Sequence, residues 1–210
     1  MSALLSAGPL MTATTAAADA DTAAAHDAGV LDLATSAGYL TYGLMALTVC
    51  FGMLTTTGWA RHAVKRQTLY GAHMMLAIMT LTSGVLHGLS FTFQQTETFT
   101  YLTAFVPFLG GGGMDVALGT MALELGIVVA VSVWAQRLLG YRRWHMLHYA
   151  AYAAFGLALA HAFVMSQDVQ AFAGIGVLVV GAAGAVGLMF LLRLLPATRA
   201  VGTRIAPQEV

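Results

Sequence analysis

Five apolar runs separated by short polar connections organise the chain: Ala37–Trp59, Thr68–Phe93, Val116–Leu139, Trp144–Met165 and Gln170–Leu195. Each is close to the roughly 20 residues that a helix needs to cross the hydrocarbon of a bilayer. The pattern predicts an all-α integral membrane protein, a bundle of five transmembrane helices over residues 36–196. Residues 1–35 are rich in Ala, Thr and Asp and hold no Lys or Arg. A secretory signal has a positive start and a compact apolar core. Here the first is missing, and the apolar stretch from Ala3 to Met11 is interrupted by Gly8 and Pro9. Residues 1–35 therefore read as an extracytoplasmic flexible tail, and residues 197–210 as a cytoplasmic tail.

The connections orient the bundle. Arg61, Lys65 and Arg66 lie between the first and second runs, and Arg137, Arg142 and Arg143 between the third and fourth. Arg193, Arg199 and Arg204 close the chain, so all 9 basic residues fall on one side. The other side carries Asp19, Asp21, Asp27, Asp32, Glu97, Asp115 and Asp168. Cytoplasmic loops collect Lys and Arg, so the N-terminus is expected outside and the C-terminus in the cytoplasm. The second and fourth helices then run parallel.

Composition narrows the class further. The 210 residues are 59% hydrophobic and 9% charged, with zero net charge; an ordinary soluble domain is about a quarter charged. No basic surface points to nucleic acid. The single Cys50 excludes a disulfide framework and a thiolate metal site, and reads as a small buried hydrophobe.

Against this background four histidines stand out. His73 and His87 lie fourteen residues apart in the second run, and His148 and His161 thirteen apart in the fourth. Ionisable groups inside a membrane are costly and mark pathways or bound groups. Fourteen residues span about 21 Å and almost four turns, which puts both imidazoles on one face near opposite membrane surfaces. Because the two helices are expected to be parallel, His73 pairs in depth with His148 near the inner surface, and His87 with His161 near the outer one. Thirteen residues fall about 1.4 short of four turns. Helix tilt, local tightening or a sideways offset between the sites would each absorb the deficit. His145 is a second candidate for the inner position, and otherwise a polar neighbour of it.

Two imidazoles per centre suit haem b, whose iron needs two axial ligands and then passes single electrons rather than binding gas. Zinc or copper prefers three or four ligands at one depth. The small residues Ala77, Ser83, Gly84, Ala151 and Ala158 lie about a turn from the histidines, where a flat macrocycle needs room, although small residues also favour helix packing. No covalent haem attachment motif is present.

The pattern H-x13-H on one helix and, after R-R-W, H-x12-H on the next parallel one resembles the ferric reductase-like transmembrane domain family. That superfamily includes ferric reductases, NADPH oxidases and the membrane subunit of the bacterial methionine sulfoxide reductase system. The run R-R-W-H-M-L-H-Y-A-A-Y (142–152) carries the likeness most closely, and the resemblance covers about Ala37 to Leu195. It implies two stacked b-type haems, His73 and His148 holding the inner one and His87 and His161 the outer one.

The expected role is that of a transmembrane electron-transfer subunit, an oxidoreductase component. It differs from many relatives in the resembled family in showing no G-x-G-x-x-G turn within a βαβ pattern, so a separate reductase or a membrane quinol is expected as donor. Ferric iron, a flavin or an exported redox protein is expected as the extracytoplasmic acceptor. Arg66, Arg142 and Arg143, with Arg61 and Lys65, form a basic inner face suited to an acidic donor or to the inner haem's propionates. Outside, only neutral donors (Gln94, Gln95, Tyr101, Gln167) are at hand. The loop Gln94–Asp115 reads as an amphipathic lid over the outer site. Glu124 is a candidate proton relay or quinone contact, or a structural carboxylate. Glycines 174–187 suggest a close helix contact, and His62 a solvated side chain. A histidine-based metal carrier and a structural membrane anchor are the competing readings.

Overall fold

The computed structural model describes residues 8–56, 64–97, 99–109 and 112–194, with side chains from residue 17 onward. Trp59, Arg61, His62, Gly110, Gly111 and the tail 197–210 lie outside the described residues. The described residues are mostly helical, with no strand among them.

The first helix, α1 (Gly8–Thr56), is followed by α2 (Arg66–Ser90), a 3-10 turn at Phe91–Phe93 and the short α3 (Tyr101–Phe105). Then come α4 (Met114–His148), α5 (Ala150–Met165), the four-residue α6 (Gln167–Gln170) and α7 (Gly176–Leu194). Four helical stretches are long and apolar enough to cross a membrane: Ala17–Thr56, Arg66–Phe93, Met114–Met165 and Gly176–Leu194. The outward surface agrees, since Leu138 is 90% exposed and Trp134 79%. Apolar surface on this scale is what a bilayer or a partner covers.

Two expectations change. From Gly8 onward the expected flexible tail is helix, continuous with the first apolar run. Alanine is the best helix former, and Asp27 ties this part of α1 to the rest of the fold, as described below. The described apolar helix is 40 residues long, about 60 Å and twice the hydrocarbon thickness. Its Asp-bearing N-terminal half therefore projects beyond the apolar half that begins at Ala37.

The second change concerns the third and fourth apolar runs, which share one helical stretch. That stretch is broken at Gly140, which adopts φ 74° and ψ 156°, a conformation essentially reserved for glycine. The chain doubles back there, so that Asp115 and His161 are hydrogen-bonded. Residues 114–139 and 141–165 thus form an antiparallel hairpin.

A core of Tyr42, Ala46, Val49 and Met53 from α1 joins Phe155 of α5, Val169 of α6 and Val179 and Val186 of α7. Gly176 makes the turn into α7 possible, because a Cβ there would lie 2.1 Å from the Asp168 carbonyl oxygen. Gly181, Gly184 and Gly187 have open space beside them, so no described neighbour within this chain packs on that stripe.

Candidate functional site

The packing of α1 on α2 places the first two histidines. The helices are antiparallel and are joined by hydroxyls: Thr41 Oγ1 lies 2.8 Å from Ser83 Oγ, and Thr48 Oγ1 3.1 Å from Thr80 Oγ1. Each threonine also bonds a carbonyl on its own helix, the usual way a membrane helix satisfies a hydroxyl. Beyond these bonds, at the two ends of the seam, His87 Nδ1 donates to the Ala34 carbonyl at 2.7 Å and His73 Nδ1 to the Thr48 carbonyl at 3.0 Å. In the 114–165 hairpin His161 Nδ1 does the same to the Asp115 carbonyl at 2.7 Å.

A carbonyl can only accept, so in these three rings Nδ1 carries the proton and Nε2 keeps its lone pair, the form that ligates a metal. Each receiving carbonyl lies four residues before a glycine: Ala34 before Gly38, Thr48 before Gly52, Asp115 before Gly119. Helical side chains lean toward the N-terminus and cover the preceding turn. A glycine at that position leaves the carbonyl open to a neighbouring helix, and the imidazole fills the space. A Cβ at Gly38 would come within 2.9 Å of His87 Cε1, at Gly119 within 2.9 Å of His161 Cε1, and at Gly52 within 3.2 Å of His73 Cε1.

Seated in this way, the histidines meet in two pairs. The rings of His73 and His148 are 6.1 Å apart between centroids, and those of His87 and His161 also 6.1 Å. The pairs are those that parallel helices demand. The shorter spacing of His148 and His161 is absorbed in part at Tyr149, whose N–H reaches the Met146 carbonyl at 3.2 Å while its own carbonyl accepts from Tyr152 at 3.0 Å. These three-residue bonds turn the chain by about 120° per residue instead of about 100°. Of the three ways to absorb the deficit, local tightening is visible.

The fourth histidine is different. Nδ1 of His148 and Nε1 of Trp144, whose rings lie 5.1 Å apart, are both buried and have no hydrogen-bond partner among the described residues. His145 stacks on Tyr141 at 5.4 Å and meets Tyr149 edge-on at 4.8 Å, in an aromatic cluster beside the pair. Arg66 bonds Tyr70 Oη at 3.2 Å and lies over its ring. Arg142 and Arg143 are exposed. Midway along the bundle Tyr42 and Phe155 stack at 5.3 Å, both buried, with Tyr42 Oη unpartnered among the described residues. Ser83 and Gly84 turn out to pack helices: Ser83 bonds α1, and a Cβ at Gly84 would touch Leu123 and Thr41. Glu124 is exposed on the outward face of α4.

At the other end the loop after α2 covers His87. Phe91 meets that ring at 5.4 Å and Phe99 at 5.5 Å in turn. The loop is held by Asp27, whose carboxylate accepts from the backbone N–H of Gln95 at 2.7 Å, the N–H of Thr96 at 2.9 Å, and the Thr96 hydroxyl. These bonds, the hydroxyl first, hold the Asp27 carboxyl well below the usual carboxylate range.

The geometry suits a metal between each pair. Two imidazoles bound in line to one ion have ring centres about 6 Å apart, given metal–nitrogen bonds of about 2 Å. Among the described residues no group of three or more His, Cys, Asp or Glu side chains converges on a metal position. A group that brings its own equatorial ligands, such as haem, needs only the two that each pair offers. Gly38, Gly52 and Gly119 were not singled out from sequence, although the fourteen residues from Gly38 to Gly52 repeat those from His73 to His87. Comparisons with protein-family models, curated proteins and solved structures find no match to this chain.

Proposed function

We propose that the protein is a di-haem b membrane cytochrome of the cell membrane, which carries electrons from a cytoplasmic or quinol donor to an extracytoplasmic acceptor. The observation that carries this reading is the meeting of four widely separated histidines as two pairs, each with centroids 6.1 Å apart. Bound haem would supply one-electron chemistry with no open position for dioxygen. The protein's part is to fix the tautomer and aim of His73, His87 and His161 through backbone carbonyls, and to surround the pairs with apolar helices that exclude water.

The hairpin at Gly140 supports five crossings, with the 114–165 stretch passing twice. The Asp-rich end of α1 would then lie outside and the Arg-rich connections inside. On this reading the pair His73/His148 is the inner one and His87/His161 the outer. Arg66, Arg142, Arg143 and His145 surround the inner end, where they would receive an acidic donor or haem carboxylates. A basic patch of this kind speeds encounter more than it fixes a complex. Ferric iron, a flavin or a redox protein would take electrons at the end covered by Phe91 and Phe99.

Visible absorption of the protein purified after haem-replete expression tests the proposal. The expected result is sharp low-spin bands on reduction, with two haems per chain. A colourless protein that holds zinc or copper would instead make it a metal carrier, and a protein with no bound group a membrane anchor.

A further inference from the structure

Three histidines sit in glycine seats and donate to carbonyls, and the fourth does neither. Counting thirteen residues along the hairpin from Gly119, as from His161 back to His148, arrives at Ser132. Ser132 is buried, carries a Cβ where the other seats have none, and turns its hydroxyl to the Val129 carbonyl at 2.6 Å. The outer pair therefore has two seats with 2.7 Å bonds, and the inner pair one seat with a 3.0 Å bond and one open Nδ1.

We infer that the two histidine pairs are tuned to different redox potentials by these seats: Gly38 and Gly119 set the outer site low, and the half-seated inner site lies higher. The inference rests on the proposed haem ligation and deepens it. The physical chain is short. An imidazole whose N–H is given to a carbonyl is a more basic ligand, and a more basic axial ligand favours ferric over ferrous iron. Charge acts in the same direction. Asp115 stands at the outer end, whereas Arg66, Arg142 and Arg143 cluster at the inner end and favour the reduced, more negative form there. An electron thus rests on the inner site, and an inside-negative membrane potential assists its outward transfer. Gly38, Gly52 and Gly119 are positioning residues that act through the rings.

Redox titration of the intact detergent-solubilised protein, followed by haem absorbance, tests the assignment. The wild type is expected to titrate in two components. Gly119→Ala, whose methyl would meet three atoms of the His161 ring at 2.9 to 3.1 Å, should remove or raise the lower component and leave the higher one in place. Gly38→Ala should act likewise, and Gly52→Ala on the higher component. Gly43→Ala, which faces open space, should change neither. The component that remains in each variant reports that the bundle has folded. A single component in the haem-bearing wild type overturns the inference, as does loss of both components, or an unchanged lower component, in Gly119→Ala. A haem-free wild type overturns the proposed function itself, before any variant is made.

Discussion

In the α1–α2 pair, Gly38 and Gly52 stand fourteen residues apart, as do His87 and His73, and each glycine receives one ring. In the hairpin 114–165 the histidines stand thirteen apart, and only Gly119 receives one. The difference follows from how the helices are joined. A long antiparallel pair keeps one register from end to end, so equal spacing on both helices puts both histidines in contact with glycine. In the hairpin the step of thirteen that leads from His161 to His148 leads from Gly119 to Ser132, whose Cβ stands where the seats have none, while the three-residue bonds at Tyr149 help His148 face its partner ring. Direction toward the partner is kept, and the seat is lost. Similar ring separations in the two pairs thus conceal unequal support behind the rings.

The largest effects should come from removing a ring. His87→Ala or His161→Ala is expected to lose about half of the bound haem, the other pair keeping its own. Sealed vesicles should then fail to reduce an impermeant ferric chelate on the outer face. Loss of both haems from either change would mean that the pairs are not independent sites.

A smaller effect is expected at the turn that creates the hairpin. Gly140→Ala places a Cβ at φ 74° and should cost about 1–3 kcal/mol, seen as a lower Tm in detergent with His161-dependent haem lost first. Gly43→Ala, in the α1 helix and facing no neighbour, should leave Tm unchanged or raise stability by up to about 1 kcal/mol. Equal behaviour of the two variants would remove the special role given to the Gly140 turn.

Smaller again is the contribution of the Asp27 clasp, which touches only the end of the bundle that holds His87. Its carboxyl is held below the ordinary carboxylate range in the folded protein. The stabilisation is therefore complete above the ordinary pKa and is lost as pH falls below about 4. Hydrogen-exchange protection at Gln95 and Thr96, taken relative to the intrinsic rate at each pH, should be high at neutral pH and fall in acid. Asp27→Asn should show low protection at every pH, while the spectrum of the His73/His148 pair stays unchanged. High protection in that variant would place the loop's anchor elsewhere.

The smallest change sharpens the comparison most. Ser132→Gly removes the Cβ at the level of His148 and should lower the inner midpoint toward the outer one, by less than Gly119→Ala shifts the lower component. An unmoved inner midpoint would mean that the Ser132 Cβ does not keep His148 from a carbonyl.

Much of this was legible in residue order, because a membrane allows few options. Apolar runs of helical length must form helices, and a costly histidine repeated at fourteen residues leaves few explanations besides a paired site. The basic residues between runs carried the expected parallel arrangement, and with it which histidine meets which. What the order of residues left open is of another kind. Glycine is abundant here, at 23 of 210 residues, and nothing local distinguishes Gly38, which receives His87, from Gly43, which faces space. Only the arrival of a second helix makes one of them a seat. The continuation of α1 through residues read as a tail likewise depends on Asp27 meeting Gln95 and Thr96, 68 and 69 residues away. Helices and their apolar faces come from short-range propensity and burial. Which carbonyl an imidazole reaches is decided by register and tilt between helices, and these exist only once the bundle has packed.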